Sequence, residues 1–171
     1  QAGYRTCLAG RMHFVGPDQL HGFEERVTTD VYPADFAWVP DWHNADQRID
    51  RWYHNMDSVF EAGSAVTAFQ IEYDEEVGFA ARRRLMQYAC DRDRPFALVA
   101  SFMNPHDPYV ALPEFWNLYE DDGIDMPETD SGTVQTDPFS ARVLDGIGAS
   151  AVTTSAADIR RARRGYYANV S

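Results

Sequence analysis

Residues 94–109, RPFALVASFMNPHDPY, set the tightest limit on what this chain can fold into. Phe96, Ala97, Leu98, Val99, Ala100 and Phe102 form an apolar run, the pattern of a strand covered on both faces in a parallel sheet. Asn104-Pro-His-Asp-Pro108 ends that strand, because prolines withdraw backbone donors and hold their neighbours out of the helical region. Open α/β sheets bind ligands just beyond the carboxyl ends of their strands, which places His106 and Asp107 where a site belongs. The same residues also suit a plain Pro-framed turn with a capping Asp and a surface His.

The segment before this strand carries the clearest helical pattern. Over Tyr73–Cys90 acidic residues fill the first turn and arginines follow, in the sense the helix dipole favours. Val77, Phe79, Ala80, Leu85, Met86 and Ala89 are the candidate buried side, and Arg82–Arg84 reads as a solvated face. A helix leading through a short turn into a buried strand is half of a βαβ unit. The expected fold class is therefore α/β, with a mostly parallel central sheet flanked by helices.

Further strands are expected at both ends of the first thirty residues. Gly3–Gly10 reads as a short strand, and His21–Asp30 alternates enough for another, with Phe23, Val27 and Val31 toward the core. Arg11 and His13 follow the first strand; two residues apart in an extended segment, they share a face. Phe14 and Val15 are expected to return to the core. Residues 31–55 hold Tyr32, Phe36, Trp38, Trp42, Trp52 and Tyr53 among prolines and acids, and read as a long loop pinned by its aromatics. Beyond His106, residues 113–119 suit one or two helical turns and residues 121–138 a meandering surface segment. Ser155 and Asp158 stand at capping-box spacing at the head of a last helix.

With 44% hydrophobic and 13% aromatic residues the chain has the material for a core. Its net charge of −12 argues against nucleic acid, which needs basic patches to neutralise phosphates. No apolar run reaches the length of a membrane span. The fifteen basic residues are all Arg, a bias that fits a salt-adapted source or a GC-rich genome. Cys7 and Cys90 lack CxxC spacing and suit two buried free thiols in a reducing cytoplasm.

Several stretches together, GYRTCLAGRMHFVGPDQLHGFEERVTTDVYPADF, PDW, WYHN, SFMNPHDPYV and RRARRGYYANVS, resemble the choline-sulfatases. These form part of the sulfatase branch of the alkaline phosphatase superfamily. The resemblance covers nearly the whole chain and implies an internal segment, residues 1–171, of one catalytic domain in a longer enzyme. It implies a formylglycine nucleophile made from Cys in a C-x-P-S-R motif. Neither Cys7 nor Cys90 stands in such a motif, so the nucleophile is expected upstream. A divalent cation (Ca, Mg or Mn) is implied too, with its ligands outside this segment.

What the segment is expected to contribute is a set of helper residues. The G-K-x-H motif of sulfatases stands here as Gly10-Arg11-Met12-His13, with Arg in place of Lys. The P-H-x-P motif stands as Pro105-His106-Asp107-Pro108. Asn104 occupies a position where the resemblance expects His. Arg11 and His13 would grip the sulfate oxygens, and His106 would protonate the leaving alkoxide. Choline carries a quaternary ammonium that aromatic faces bind; Trp38 and His54 are the candidates to reach it, with Asn104 as a further substrate-binding residue. The implied partner is a small sulfate ester, choline sulfate, with the complete enzyme a homo-oligomer in the cytoplasm. Two other readings stay open: a related hydrolase acting on another sulfate ester, a phosphonate or a phosphate monoester, and a non-catalytic choline-binding relative.

Overall fold

The computed structural model describes residues 2–32, 34–36, 43, 55–128 and 137–171. The chain divides into two compact units, Gln1–Arg48 with Phe69–Asn104, and Ile49–Ala68 with Pro105–Ser171. Both are α/β, and every strand pairing among the described residues is parallel. Among the described residues no helix is long and apolar enough to cross a membrane.

In the first unit β1 (Arg5–Gly10) lies between β2 (Glu25–Arg26) and β4 (Phe96–Ser101), and α2 (Phe69–Cys90) connects onward into β4. As the central strand, β1 buries Cys7, Leu8 and Ala9 completely. Ala9 packs with Tyr73, Val77 and Ala81 of α2, and Val27, Val31, Leu98 and Met103 close around them. Burial pushes the Tyr73 phenol up to about 12, and its hydroxyl donates to the Thr29 carbonyl at 2.8 Å.

Several expectations are corrected here. β4 is not covered on both faces: it is an edge strand of the described sheet, and Phe96 and Val99 remain 38% and 36% exposed. α2 starts four residues before the predicted Tyr73, and it turns a different side inward. Tyr73, Val77, Ala81 and Tyr88 are buried at spacings of four, four and seven; Val77 is buried as expected, whereas Phe79, Leu85 and Met86 are exposed. Both sides are apolar, so composition could not choose between them; contact with β1 does. Arg84 is not merely solvated, since it bridges to Glu25 at 2.9 Å. Val15 is exposed, and of the two thiols only Cys7 is buried.

The second predicted strand shrinks to two residues. Its backbone bonding to β1 runs from Glu24 N–H on Thr6 O, at 3.0 Å, to Val27 N–H on Leu8 O, at 2.9 Å. One step further a side chain replaces the ladder, because Gly10 N–H donates to Thr28 Oγ1 at 2.7 Å. Gly10 is required there. Its φ is +105°, and a Cβ would lie 1.9 Å from the Ser101 carbonyl oxygen.

The second unit packs around α5 (Ala156–Val170). The predicted capping box is formed: Asp158 N–H donates to Ser155 Oγ at 3.1 Å and Ser155 N–H to Asp158 Oδ2 at 3.0 Å. Buried Ala162, Gly165 and Ala168 make a small-residue face on this helix. Tyr109, just before β5 (Val110–Ala111), comes so close that a Cβ on Gly165 would meet its carbonyl oxygen at 2.3 Å. β5 pairs with β3 (Gly63–Ser64), a pairing the sequence did not suggest. Short helices α1 (Asp57–Phe60) and α3 (Pro113–Trp116) flank the pair; α3 is the helical turn expected there. α4 (Pro138–Gly146), unforeseen, begins at Asp137, which accepts from the N–H groups of Phe139 and Ser140.

Gly10→Ala is expected to destabilise the fold by more than about 2 kcal/mol, since it combines overpacking with a disfavoured φ. Gly146→Ala, where a Cβ meets nothing within 4 Å, serves as control and should be neutral or slightly stabilising. Urea unfolding of the two variants checks this; equal stabilities would remove the close approach as a constraint.

Candidate active site

β1 and β4 run in the same direction with Gly10 opposite Ser101, so the residues that follow them leave from one edge of the sheet. Arg11 N–H continues the ladder onto Ser101 O at 2.9 Å. The next peptide is taken up by a side chain, Met12 N–H donating to Asp30 Oδ2 at 3.0 Å. His13 then sits at φ +56°, in the left-handed region that L-residues with a side chain rarely occupy. Such conformations persist where neighbours over-determine them and cluster at functional sites.

Arg11 and His13 are brought together on Tyr32. Arg11 Nη2 donates to the Tyr32 hydroxyl at 2.5 Å, and the guanidinium carbon lies 5.2 Å from the ring centroid. The His13 imidazole stacks on the same ring, with centroids 3.8 Å apart and planes within 11°. The shared face expected of an i, i+2 pair is thus formed through a third residue, not through an extended backbone.

What holds this edge is a buried ion pair. Arg26 Nη2 meets Asp30 Oδ2 at 2.7 Å, with side chains only 8% and 2% exposed. Arg26 also donates to Gly10 O at 2.6 Å, Thr28 O at 3.0 Å and Gln19 Oε1 at 2.9 Å. Asp30 accepts from Met12 and Val31 N–H groups besides Arg26. Burial alone would raise the Asp30 carboxyl, but these donors outweigh it and hold the pKa below the ordinary value.

At the end of β4 the site residue Asn104 is fixed by its backbone. Asp74 of α2 accepts from Met103 N–H at 2.6 Å and from Asn104 N–H at 2.9 Å. Asn104 Oδ1 is buried and finds no hydrogen-bond partner among the described residues.

His106 belongs to the second unit. Its Nδ1 lies 2.9 Å from both the Asp107 carbonyl oxygen and Asp107 Oδ1. Ser58 Oγ donates to Asp107 Oδ2 at 2.5 Å. A carboxylate at Nδ1 sets the imidazole's orientation. Asp107 therefore does more than cap a turn. Trp38 and His54 lie outside the described residues.

Tyr32, Asp30, Asp74, Asp107 and Ser58 support these side chains, and reading the sequence did not single out their roles. Adjacency to His106 was the available signal for Asp107. The others act across 18 to 49 residues of chain, which no local pattern reveals.

Among the described residues no group of three or more His, Cys, Asp or Glu is arranged to hold a metal ion. Cys7 is a poor nucleophile where it stands: burial, with Glu25 nearby, pushes its thiol above the ordinary value. The residues on hand do not by themselves fit the implied cation or the implied formylglycine.

The whole chain aligns with a protein of Rhizobium meliloti (strain 1021) named choline-sulfatase, at 49% identity over 176 residues. Over its whole length the chain is similar to that choline-sulfatase. It spans about a third (34%) of the length of that choline-sulfatase. No protein-family model matches the chain.

The ion pair makes stability pH-dependent in a defined sense. Asp30 has its folded pKa below the ordinary 3.8, so its stabilisation is complete above that value and is lost as pH falls through the lowered one. Asp30→Asn should cost about 3–5 kcal/mol at neutral pH by leaving Arg26 buried and unpaired. It should also flatten the acid limb below about pH 4. Urea unfolding across pH checks both; an unchanged acid limb would show that other carboxylates carry it.

Proposed function

We propose that this chain forms the sulfate-gripping part of a sulfuric ester hydrolase that cleaves choline sulfate to choline and sulfate. The observation that carries this reading is the pairing of Arg11 and His13 on Tyr32 at the sheet edge, in a chain 49% identical to a choline-sulfatase. A sulfate monoester spreads its charge over three oxygens, and more charge gathers on the leaving alcohol oxygen as the S–O bond breaks. Preorganised cations and donors stabilise such charge more in the transition state than in the ground state. Arg11 offers a planar fork to two sulfate oxygens, and His13 a donor beside it. His106, oriented by Asp107, transfers a proton to the departing alkoxide.

Trp38 and His54 are assigned to the ammonium end of choline, and Asn104 to a further substrate contact. The nucleophile, a formylglycine, and the divalent cation are assigned to parts of the enzyme outside this chain. Arg11 takes the place of the Lys common in sulfatases; both are cations able to hold a sulfate oxygen.

The test is kinetic, in the complete enzyme with metal and formylglycine content verified. Arg11→Ala should lower the rate by about a hundredfold or more, and Arg11→Lys should preserve it. His106→Ala should slow choline sulfate far more than nitrophenyl sulfate, by about 10²–10⁴-fold, because a nitrophenolate leaves without a proton. Trp38→Ala should weaken binding of choline sulfate selectively. Equal losses on both esters for His106→Ala would remove it as the acid, and full activity of Arg11→Ala would remove the sulfate grip.

A further inference from the structure

The structure assigns Tyr32 as the positioning residue of the sulfate-binding pair: its hydroxyl aims Arg11 and its ring face aims His13. This inference rests on the sulfatase reading above. A guanidinium sits on a long flexible stem, and gripping an oxygen at one point demands that the stem be ordered before substrate arrives. The Tyr32 oxygen does this directly, accepting from Arg11 Nη2 at 2.5 Å while the ring lies alongside the guanidinium carbon.

His13 has a different need. At φ +56° its backbone is in a region that side chains disfavour. The parallel stack on Tyr32, with centroids 3.8 Å apart, fixes the plane in which its ring nitrogens act. One ring therefore sets two angles at once.

Tyr32 is itself anchored through the buried ion pair. Asp30 Oδ1 accepts from the N–H groups of Val31 at 2.8 Å and Tyr32 at 3.4 Å, and its other oxygen meets Arg26 and Met12 N–H. The Asp30 carboxylate thus bonds backbone on both sides, at the residue between Arg11 and His13 and at Tyr32. Movement of either segment breaks a bond to the same carboxylate.

Two variants separate the two contacts. Tyr32→Phe keeps the stack and deletes the acceptor, whereas Tyr32→Leu deletes both. In the complete enzyme, kcat and KM for choline sulfate are measured for both, with Arg11 present and in an Arg11→Ala background. His13 ring resonances are followed by NMR. Tyr32→Phe should lower kcat by about tenfold with little change in KM, and should add nothing once Arg11 is gone. Tyr32→Leu should lower kcat by about a hundredfold and should move the His13 ring protons downfield as the ring-current shift is lost, a shift that Phe retains.

A Tyr32→Phe loss of the same size with and without Arg11 would overturn the Arg11 link. Unmoved His13 resonances in Tyr32→Leu would overturn the His13 link. A lowered melting temperature with kcat intact in both variants would make Tyr32 a packing residue and end the proposal. Failure of the sulfatase reading looks different: Arg11→Ala keeps full activity while His13 still responds to Tyr32→Leu, which upholds the contact and sinks its catalytic purpose.

Discussion

The Arg26–Asp30 ion pair is the interaction on which the Arg11–His13–Tyr32 cluster depends. Taking two charges out of water is expensive, and such a pair contributes stability only if its remaining donors and lone pairs are satisfied. Here they are used for geometry. The guanidinium collects the carbonyls of Gly10 and Thr28, and the carboxylate collects the N–H groups of Met12 and Val31. The end of β1 and the segment bearing Tyr32 are thereby tied to one buried point. Replacing the pair by apolar side chains would remove the hydrogen bonds that these backbone groups, and Tyr32 N–H, make to it.

Two other arginines are used in this way. Arg94 donates to Gly3 and Tyr4 carbonyls, at 3.0 and 2.8 Å, while pairing with Glu24. Arg164 reaches the Trp116 carbonyl at 3.0 Å, stacks on the Trp116 ring at 4.7 Å and pairs with Asp121. Each guanidinium joins a backbone acceptor to a carboxylate, which needs several donors held in a plane; a lysine ammonium lacks that fork. A chain without lysine gains here a means of closing loops onto elements, and Arg11 fits the same habit by donating to Tyr32 while presenting a charge.

His106 shows the complementary economy in the second unit. Its orienting carboxylate is its neighbour in sequence, Asp107, and Ser58 in turn donates to that carboxylate. The Pro-framed turn and the functional reading of this stretch are therefore not alternatives. The turn supplies the close contact between the adjacent His106 and Asp107 side chains.

Local rules made much of the architecture legible. Ser155 and Asp158 announced a helix start because capping is decided within four residues, and the run before Asn104 announced a strand because apolar and β-branched residues favour extended backbone in a sheet. Arg11, His13 and His106 stood out as candidates through their types, their spacing and the resemblance. What sequence could not decide is which of two apolar sides of α2 faces the sheet, how little of residues 21–30 joins it, and that β4 is left at an edge. Nor could it decide that Tyr32 and Asp30 hold the segment of Arg11 and His13, or that Asp74 holds Asn104. Those outcomes depend on contacts between residues distant in the chain. Sequence determined the elements and the reactive groups; tertiary packing decided which faces met and which polar atoms had to be satisfied there.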